Sequence, residues 1–359
     1  MRKLTLAAGA ALCALGAATG AMAMGIDGDP KVAFIYIAPV GDLGWTYMHD
    51  QSRLAVEERL GIETAFTESI PEVTTDVRGV IDRYVARGYN VIVGTAYGYS
   101  DAFKLAAEEY PGVVFMNAAG TTSAPNLTSY YGRSYESMYL AGMAAGAVTG
   151  TGKLGFVAAY PLGLVLWNVN AFALGAQAVN PDVEVIVSFT NTWYDPVLEE
   201  QTAQALIEQG VDVIAQHQDT PGPQIAAEKA GIHSIGYNAD MSGSAPNAHL
   251  MAATWDWGDY VVPAIEAAMA GTYEGGFSFT GLDTGVVDIS EMSDAIPPDI
   301  QARILETKEA IASGAFHPFT GPISDNTGAV VVEDGAVMDD GALWSMNFLV
   351  AGVTGALPE

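Results

Sequence analysis

The sequence predicts an α/β protein of two lobes, each built on a parallel sheet, with several chain crossovers that form a hinge between them. Short apolar strands alternate with helical patterns from residue 31 to about 236, which is the rhythm of right-handed βαβ units. The alternation runs through two successive blocks, one beginning at "KVAFIYI" and the other at "KLGFVAA". Two such blocks favour two similar lobes, and the cleft between lobes is a natural ligand site.

The first block has strands that are short, rich in β-branched and aromatic residues and nearly uncharged, as in fully buried parallel sheets. Its strands are "KVAFIYI", "IETAFT", "NVIVGTA", "GVVFMN" and "LTSYYG". Helical spacing between and after them predicts helices near 44–60, 75–87 and 99–109, and a helix of small residues at "YESMYLAGMAAGAVTG".

The second block repeats the pattern with strands "KLGFVAA", "VEVIVSF", "VDVIAQH" and "IHSIGYN" and helices near 165–179, 195–209 and 222–230. The remainder has one strand, "HLMAAT", helices near 258–270 and 297–313, and a predicted hairpin around 332–344. It is too short for a third lobe. We therefore expect lobe 1 to comprise residues 24–145 plus about 245–359, and lobe 2 residues from about 146 to 244.

The N-terminus has the pattern of a secretory signal peptide over residues 1–23. Arg2 and Lys3 precede an apolar run, and Ala21 to Ala23 fit the small-x-small cleavage motif. This predicts export to the periplasm. The single cysteine, Cys13, lies inside the run, and the bulky Leu12 before it argues against a lipid anchor.

Composition excludes several function classes. The chain has 42 acidic and 14 basic residues, a formal net charge of −28, and such a surface repels nucleic acid and anionic lipid. Adaptation to salty surroundings is an alternative cause of this acidity. Half of the residues are hydrophobic and the acids are dispersed, which indicates a folded protein rather than a disordered one. Removing the signal peptide leaves no cysteine, so disulfides and a thiolate nucleophile are excluded.

No catalytic or metal motif has the context that its chemistry requires. The glycine pattern at 150–155 precedes a strand, whereas a dinucleotide fingerprint follows one. Ser100 lies in an incomplete nucleophile-elbow pattern and is better explained as a helix cap. The five histidines have no metal-ligand spacing. We therefore expect neither cofactor nor metal.

Aromatic and polar residues instead recur where predicted strands end, which is the edge at which open α/β sheets bind ligands. Each cluster alone is explained by a helix cap or a packed ring, but together they describe a cleft suited to a planar, polar, uncharged ligand. The predicted ligand-binding residues are Asp42, Trp45, Tyr47, Tyr97, Gly98, Asn117, Trp193, Gln218, Asp219, Asn238, Asp240 and Trp257.

The chain from about 31 to 275 resembles the basic membrane protein family of ABC-transporter substrate-binding proteins, whose best-known branch binds purine nucleosides. The resemblance rests on the order and spacing of "GDLGWTY", "YESMYLAGMAAG", "WYDP", "LIEQGVDVIAQH" and "IGYNADM". It implies a type I periplasmic binding fold, in which two Rossmann-like lobes are joined by a hinge.

The resemblance also implies roles for individual residues. In the nucleoside branch two aromatic rings sandwich the base, and Trp45 and Trp193 occupy the matching positions. That branch holds the ribose with two aspartates and a lysine, where this chain has Asn117, Asn238 and Trp257. Because the aromatic pair is kept and the ribose-holding set is not, we expect a bare purine base.

These observations predict a periplasmic receptor, expected to be monomeric, that delivers a purine nucleobase to an inner-membrane ABC permease and catalyses no reaction. One alternative is the same fold binding a nucleoside or another small solute such as a sugar or flavin. Another is an enzyme acting on nucleosides, with Asp42, Asp219 or Asp240 as acid or base.

Overall fold

The computed structural model describes residues 23–357. The predicted signal peptide, apart from Ala23, and Cys13 therefore lie outside the described residues. In chain order the strands are β1 (Val32–Ile35), β2 (Thr64–Thr67), β3 (Val91–Gly94), β4 (Val114–Ala118), β5 (Leu127–Gly132), β6 (Lys153–Ala158), β7 (Glu184–Phe189), β8 (Val213–His217), β9 (His233–Asn238), β10 (His249–Trp255), β11 (Gly276–Thr280), β12 (Val287–Ile289), β13 (Ile323–Ser324), β14 (Val330–Val332) and β15 (Val353–Thr354).

Two sheets hold most of these strands. The first has the order β11-β5-β4-β3-β1-β2 and the second the order β12-β10-β9-β8-β6-β7-β15. Every neighbouring pair is parallel except β10 with β12. The helices are α1 (Trp45–Leu60), α2 (Thr74–Ala86), α3 (Ser100–Glu109), α4 (Ser134–Val148), α5 (Gly163–Val179), α6 (Pro196–Ile207), α7 (Gly222–Ala230), α8 (Gly258–Ala270), α9 (Pro298–Ala312) and α10 (Asp340–Trp344).

Helices cover both faces of each sheet, which is why the central strands are buried along their whole length. In the first sheet, α1 packs with α8 and α2 packs with α3; in the second, α4 packs with α5 and α6 packs with α7. We call the first sheet with α1, α2, α3 and α8 lobe 1, and the second sheet with α4–α7, α9 and α10 lobe 2. One apolar cluster runs through both lobes, and two smaller ones lie under α2–α3 and α6–α7.

The small residues predicted for α4 allow it to approach α5 closely. A Cβ added at Gly142 would lie 2.1 Å from the carbonyl oxygen of Phe172, and one at Gly175 would lie 1.9 Å from that of Tyr139. Neither position has room for a larger residue, so the backbones of the two helices are in direct contact.

The chain passes between the lobes three times, after β5, after β10 and between β11 and β12. Three connections between the lobes form the predicted multi-crossover hinge. None of the helices in residues 23–357 combines the length and the apolar character needed to cross a membrane.

The predicted lobe boundary needs correction. Residues from about 245 to 359 were expected to complete lobe 1, but β10, β12 and β15 lie in the second sheet, and only α8 and β11 return to lobe 1. Strand β10 belongs to the second sheet because it pairs with β9, and β15 because it pairs with β7. No local sequence pattern encodes such long-range contacts. The C-terminal hairpin is formed by β13 and β14, whereas residues 340–344 of the predicted hairpin are helical.

Candidate functional site

A cavity lies between the two lobes, where the parallel strands of both sheets end. This is the edge at which open α/β sheets bind ligands. Its walls are mostly aromatic and apolar, and they include no lysine or arginine. The lining residues are Ile37, Trp45, Glu72, Thr95, Ala96, Tyr97, Ala119, Tyr131, Leu164, Trp193, His217, Asp219 and Tyr237.

The lobes touch each other across the cleft. Gly44 of lobe 1 lies against the backbone of Asp219 in lobe 2, and an added Cβ at Gly44 would lie 2.1 Å from the Asp219 carbonyl oxygen. The indole Nε1 of Trp193 in lobe 2 donates a hydrogen bond of 3.3 Å to Oε2 of Glu72 in lobe 1. The structure therefore shows a closed arrangement around the cavity.

Trp45, the first residue of α1, forms the lobe 1 wall and is held on several sides. Only 9% of it is exposed, and its Nε1 donates a 2.7 Å hydrogen bond to the carbonyl oxygen of Thr95. Its ring packs edge-on against the rings of His49 and Trp257, with centroids 4.5 and 5.4 Å away. The position of this ring is therefore fixed before any ligand arrives.

Trp193 forms part of the opposite wall, on the turn that follows β7. It is half-buried, and its ring packs edge-on against Tyr160 with a centroid distance of 4.7 Å. Its only hydrogen bond within the described residues is the one to Glu72 across the cleft. This wall is less constrained than that of Trp45.

His217 and Tyr237, which end β8 and lie near the end of β9, add polar groups to the lobe 2 wall. Their rings stack at 4.5 Å. Both imidazole nitrogens and the Tyr237 hydroxyl are buried without a hydrogen-bond partner among the described residues. Burial lowers the pKa of His217 to about 4, so its imidazole is neutral near pH 7 and offers one donor and one acceptor. Unpaired buried groups are costly, and a ligand with complementary groups would satisfy them.

Carboxyl groups from both lobes lie near Asp219. Asp219 lines the cavity, and burial together with the charges of Asp42 and Glu199 raises the pKa of Asp219 well above its usual value. Burial also raises the pKa of Asp42 to about 6 and that of Glu199 to about 7, although hydrogen bonds to both carboxylates oppose the shift.

Four predicted ligand-binding residues line this cavity, namely Trp45, Tyr97, Trp193 and Asp219. The other eight lie outside its lining, and the structure gives most of them a different role.

Asp42 and Gly98 support lobe 1 loops, and Tyr47 lies in a helix. Asp42 caps a helix, which was the alternative to a ligand-binding role. Its carboxylate accepts hydrogen bonds from the backbone N–H groups of 44, 46 and 47. Tyr47 is half-buried in the first turn of α1. The N–H of Gly98 donates a 2.6 Å bond to Glu72, and a Cβ there would lie 2.7 Å from the Glu72 side chain. Gly98 thus positions Glu72, which does line the cavity.

The three predicted amide side chains hold the backbone and core behind the cavity. Asn117 donates to the carbonyl oxygen of 96, and Gln218 donates to the hydroxyl of Thr190. Asn238 accepts from the indole of Trp255 and donates to the carbonyl oxygen of 218. These bonds use the amide NH₂ groups, whereas Oδ1 of Asn117 and Oε1 of Gln218 have no hydrogen-bond partner among the described residues.

Trp257 and Asp240 also lie outside the cavity lining, Trp257 in the core and Asp240 at the surface. Trp257 is 1% exposed and stacks on His49 and Trp255 at 4.9 and 4.5 Å, so it supports Trp45 from behind instead of filling ligand space. Asp240 is exposed, accepts a hydrogen bond from the N–H of Ser242, and lies at a separate surface pocket.

Several lining residues were not predicted, including Glu72, Thr95, Tyr131, His217 and Tyr237. His217 has a signal in the sequence, because side chains alternate along a strand and its continuation. If Asp219 faces the cleft, His217 faces it too and Gln218 faces away. Among residues 23–357, no group of three or more His, Cys, Asp or Glu side chains is arranged to hold a metal ion.

Comparison with known proteins places the chain in a family. The model of the Bmp family, ABC transporter substrate-binding protein PnrA-like, matches residues 29–316. A purine-binding protein of Brucella abortus (strain 2308) is 39% identical over 331 residues, which cover 92% of this chain and 94% of that protein. A putative ABC transporter glucose-binding protein of Haloferax volcanii is 36% identical over 330 residues, covering 92% and 81%.

Solved structures show the same fold. A solute-binding protein of an ABC transporter system from Aeropyrum pernix K1 matches with a TM-score of 0.72 at 20% identity, covering 88% of this chain and 95% of that one. Another from Conexibacter woesei matches with a TM-score of 0.68 at 23% identity, covering 80% and 98%. The predicted two-lobe type I periplasmic binding fold is confirmed.

Members of this family are extracytoplasmic proteins that bind small molecules and work with a membrane permease, so the alternative of a nucleoside-acting enzyme is set aside. The predicted family is also confirmed: the chain belongs to the Bmp family of PnrA-like ABC transporter substrate-binding proteins.

Proposed function

We propose that this protein is the exported receptor of an ABC importer and captures a purine nucleobase between Trp45 and Trp193. The observation that carries the proposal is the cavity itself: aromatic rings from both lobes enclose it, and its buried polar groups include a neutral imidazole but no cation. Closure of the lobes around the base would create the surface that a permease recognises. The N-terminal pattern supports export.

The aromatic walls favour a flat ligand. Trp45 and Trp193 come from opposite lobes and both line the cavity, so a ring bound there would be contacted from two sides on closure. Stacking of a base on an aromatic side chain contributes about 1–3 kcal/mol per ring. Sugars also pack on aromatic rings, but their hydroxyl groups need more polar partners than these walls offer.

The charges favour a neutral ligand with hydrogen-bond donors. Glu72 and Asp219 line the cavity and no basic residue does, so a nucleotide phosphate would meet negative potential without a compensating cation. The ring nitrogens and exocyclic groups of a purine match the donor and acceptor of His217 and the carboxyl of Asp219.

The preference for a base over a nucleoside rests on the positions that hold ribose in related receptors. Asn117 and Asn238 bind backbone carbonyls and a tryptophan, and Trp257 lies in the core. None of the three offers a ribose hydroxyl the carboxylate or ammonium group that binds it most strongly. Glu72 already accepts two hydrogen bonds.

A nucleoside is the second candidate, because a wider cavity adjoins the first. It shares Tyr97, Tyr131 and Leu164 with the first cavity and is otherwise lined by residues including Ser129, Phe279 and Trp344. A ribose attached to a base could enter this space. The names of the two relatives support different ligands: the purine-binding name agrees with the proposal, and the glucose-binding name supports the sugar alternative.

Two measurements test the proposal. Native mass spectrometry of the protein as purified should show a bound purine. Calorimetry with adenine, hypoxanthine and guanine, each paired with its nucleoside, and with glucose should rank the bases at least tenfold tighter than the nucleosides, with no heat from glucose. Tighter binding of a nucleoside would establish the second candidate, and binding of glucose alone would remove purines from the function.

A further inference from the structure

Asp219 differs from the other carboxyl groups around the cavity in having almost no hydrogen-bond donor of its own. Its Oδ1 lies 3.5 Å from Nδ2 of Asn238, its only partner among the described residues. Asp42 accepts from three backbone N–H groups, Glu199 accepts from Asp195 and from the N–H and hydroxyl of Thr220, and Glu72 accepts two bonds. Donors stabilise the ionised form of a carboxyl group, and Asp219 lacks them.

The groups that face Asp219 bring negative charge and no positive charge. Lobe 1 contributes Asp42 and Glu72, and lobe 2 contributes Glu199 from α6. No lysine or arginine lines the cavity. The titratable groups around Asp219 are Asp42, Glu72, Tyr131, Tyr194, Glu199, His217 and Tyr237. Closure of the lobes brings Asp42 and Glu72 toward Asp219. If Asp219 were ionised in the closed arrangement, the negative charges of both would repel it.

We propose that Asp219 binds the edge of the purine as a neutral carboxylic acid and takes up one proton when the lobes close on the ligand. This inference rests on the proposed function. A neutral carboxyl group has one donor and one acceptor, which matches an adjacent acceptor and donor on the six-membered ring: N1 with the 6-amino group of adenine, or O6 with N1–H of hypoxanthine. In an open arrangement Asp219 is solvated and ionised at neutral pH, so the proton comes from solvent.

Proton uptake sets the direction of the pH dependence. The liganded form binds one more proton than the open form between the ordinary pKa of an aspartate and the raised pKa of closed Asp219. Affinity therefore falls as pH rises in this range, by up to about tenfold per pH unit for one proton.

The test uses the full-length mature protein, with adenine and hypoxanthine as probes, in calorimetry from about pH 5.5 to 8. Titrations at pH 7 in two buffers of different ionisation enthalpy should show uptake of about one proton. Asp219→Asn is the diagnostic variant, because an amide also has a donor and an acceptor but does not titrate. It should bind within about threefold of the parent at pH 6 and lose the pH dependence. Asp219→Ala should bind at least tenfold more weakly, and Asp240→Asn, at an exposed position, should behave like the parent.

A carboxylate that binds ionised gives the opposite result: Asp219→Asn would lose affinity as severely as Asp219→Ala. That outcome, a parent affinity that does not change with pH, or proton uptake that persists in Asp219→Asn would each overturn the inference while the purine receptor stands. Absence of binding to either base would overturn the proposed function and this inference with it.

Discussion

The two walls of the cleft are built differently. In lobe 1, Trp45 is held by a hydrogen bond to Thr95 and by the rings of His49 and Trp257, which is itself stacked on Trp255. His49, Trp255 and Trp257 are not among the residues that line the cavity. The lobe 1 wall is therefore a preformed aromatic platform.

The lobe 2 wall has fewer supports and more unsatisfied polar groups. Trp193 is half-buried and hydrogen-bonds only across the cleft, to Glu72. His217 and Tyr237 have polar atoms without partners among the described residues, and Asp219 has one long contact. These groups gain their partners from a ligand or from lobe 1.

This difference suggests that the two walls contribute differently to affinity and to selectivity. A preformed platform costs little ordering entropy when a ring stacks on it, so lobe 1 contributes affinity that depends little on which purine is bound. Lobe 2 contributes hydrogen bonds that depend on the ligand's edge, and these select among flat ligands. Substitutions in the two walls should therefore differ in their effects.

The largest effect is expected at the platform. Trp45→Ala removes the preformed ring, and calorimetry with the tightest-binding base should show affinity reduced by about tenfold to a hundredfold, since stacking contributes about 1–3 kcal/mol. All purines should be weakened alike.

Trp45→Phe is the matched control, because it keeps an aromatic face while losing the bond to Thr95 and part of the ring area. It should bind within about fivefold of the parent, and thermal unfolding of both variants separates loss of binding from loss of fold. A folded Trp45→Ala protein with normal affinity would show that the indole is only a packing residue.

A smaller effect is expected at Trp193. Because this ring is half-exposed and anchored only across the cleft, Trp193→Ala should weaken binding by about tenfold, near the lower end of the stacking range, with little change in unfolding temperature. Ligand should quench tryptophan fluorescence less in this variant than in the parent.

Val197→Ala, four residues further along the chain, 66% exposed and outside the cavity lining, is the control and should bind normally. An equal loss in both variants would mean that the segment, and not the indole, contributes to binding.

The fold followed from sequence patterns because its elements are local. Strand β1 and helix α1 were predicted within two residues of their observed ends, since apolar periodicity and the C-terminal glycine at 61 are local signals. Lobe membership after residue 245 was not predictable in this way. It depends on β10 pairing with β9 and on β15 pairing with β7, which are contacts between distant segments.

The site was predicted at the level of the sheet edge but not of each side chain. The sequence indicates that Asp42 and Trp45 both follow β1, yet only the backbone path determines that Asp42 turns toward the α1 N–H groups while Trp45 faces the cavity. Glu72 was missed because it follows β2, whose polar flank resembles an ordinary loop, and only closure of the lobes brings it to Trp193.

The smallest effect is expected at Glu72, the residue that connects the two walls. Its Oε1 accepts from the N–H of Gly98 within lobe 1, and its Oε2 accepts from Trp193 of lobe 2. In Glu72→Gln the amide oxygen can keep the 2.6 Å bond to Gly98, and the amide NH₂ then faces the indole N–H, so the bond between the lobes is lost. A hydrogen bond contributes about 0.5–1.5 kcal/mol net, so purine affinity should fall by about threefold to tenfold. Solution scattering should show a larger radius of gyration at subsaturating ligand than for the parent.

Glu68→Gln is the matched control for this variant. Glu68 lies in the same segment of lobe 1 and accepts a bond from the N–H of Val40, but it is exposed and contacts no lobe 2 residue through a hydrogen bond. It should leave both affinity and scattering unchanged. If Glu72→Gln also behaves like the parent, the bond to Trp193 does not hold the lobes together, and closure then depends on the ligand and on the contact between Gly44 and Asp219. In that case Trp193 contributes to binding only by stacking on the ligand, and its hydrogen bond to Glu72 does not stabilise the closed arrangement.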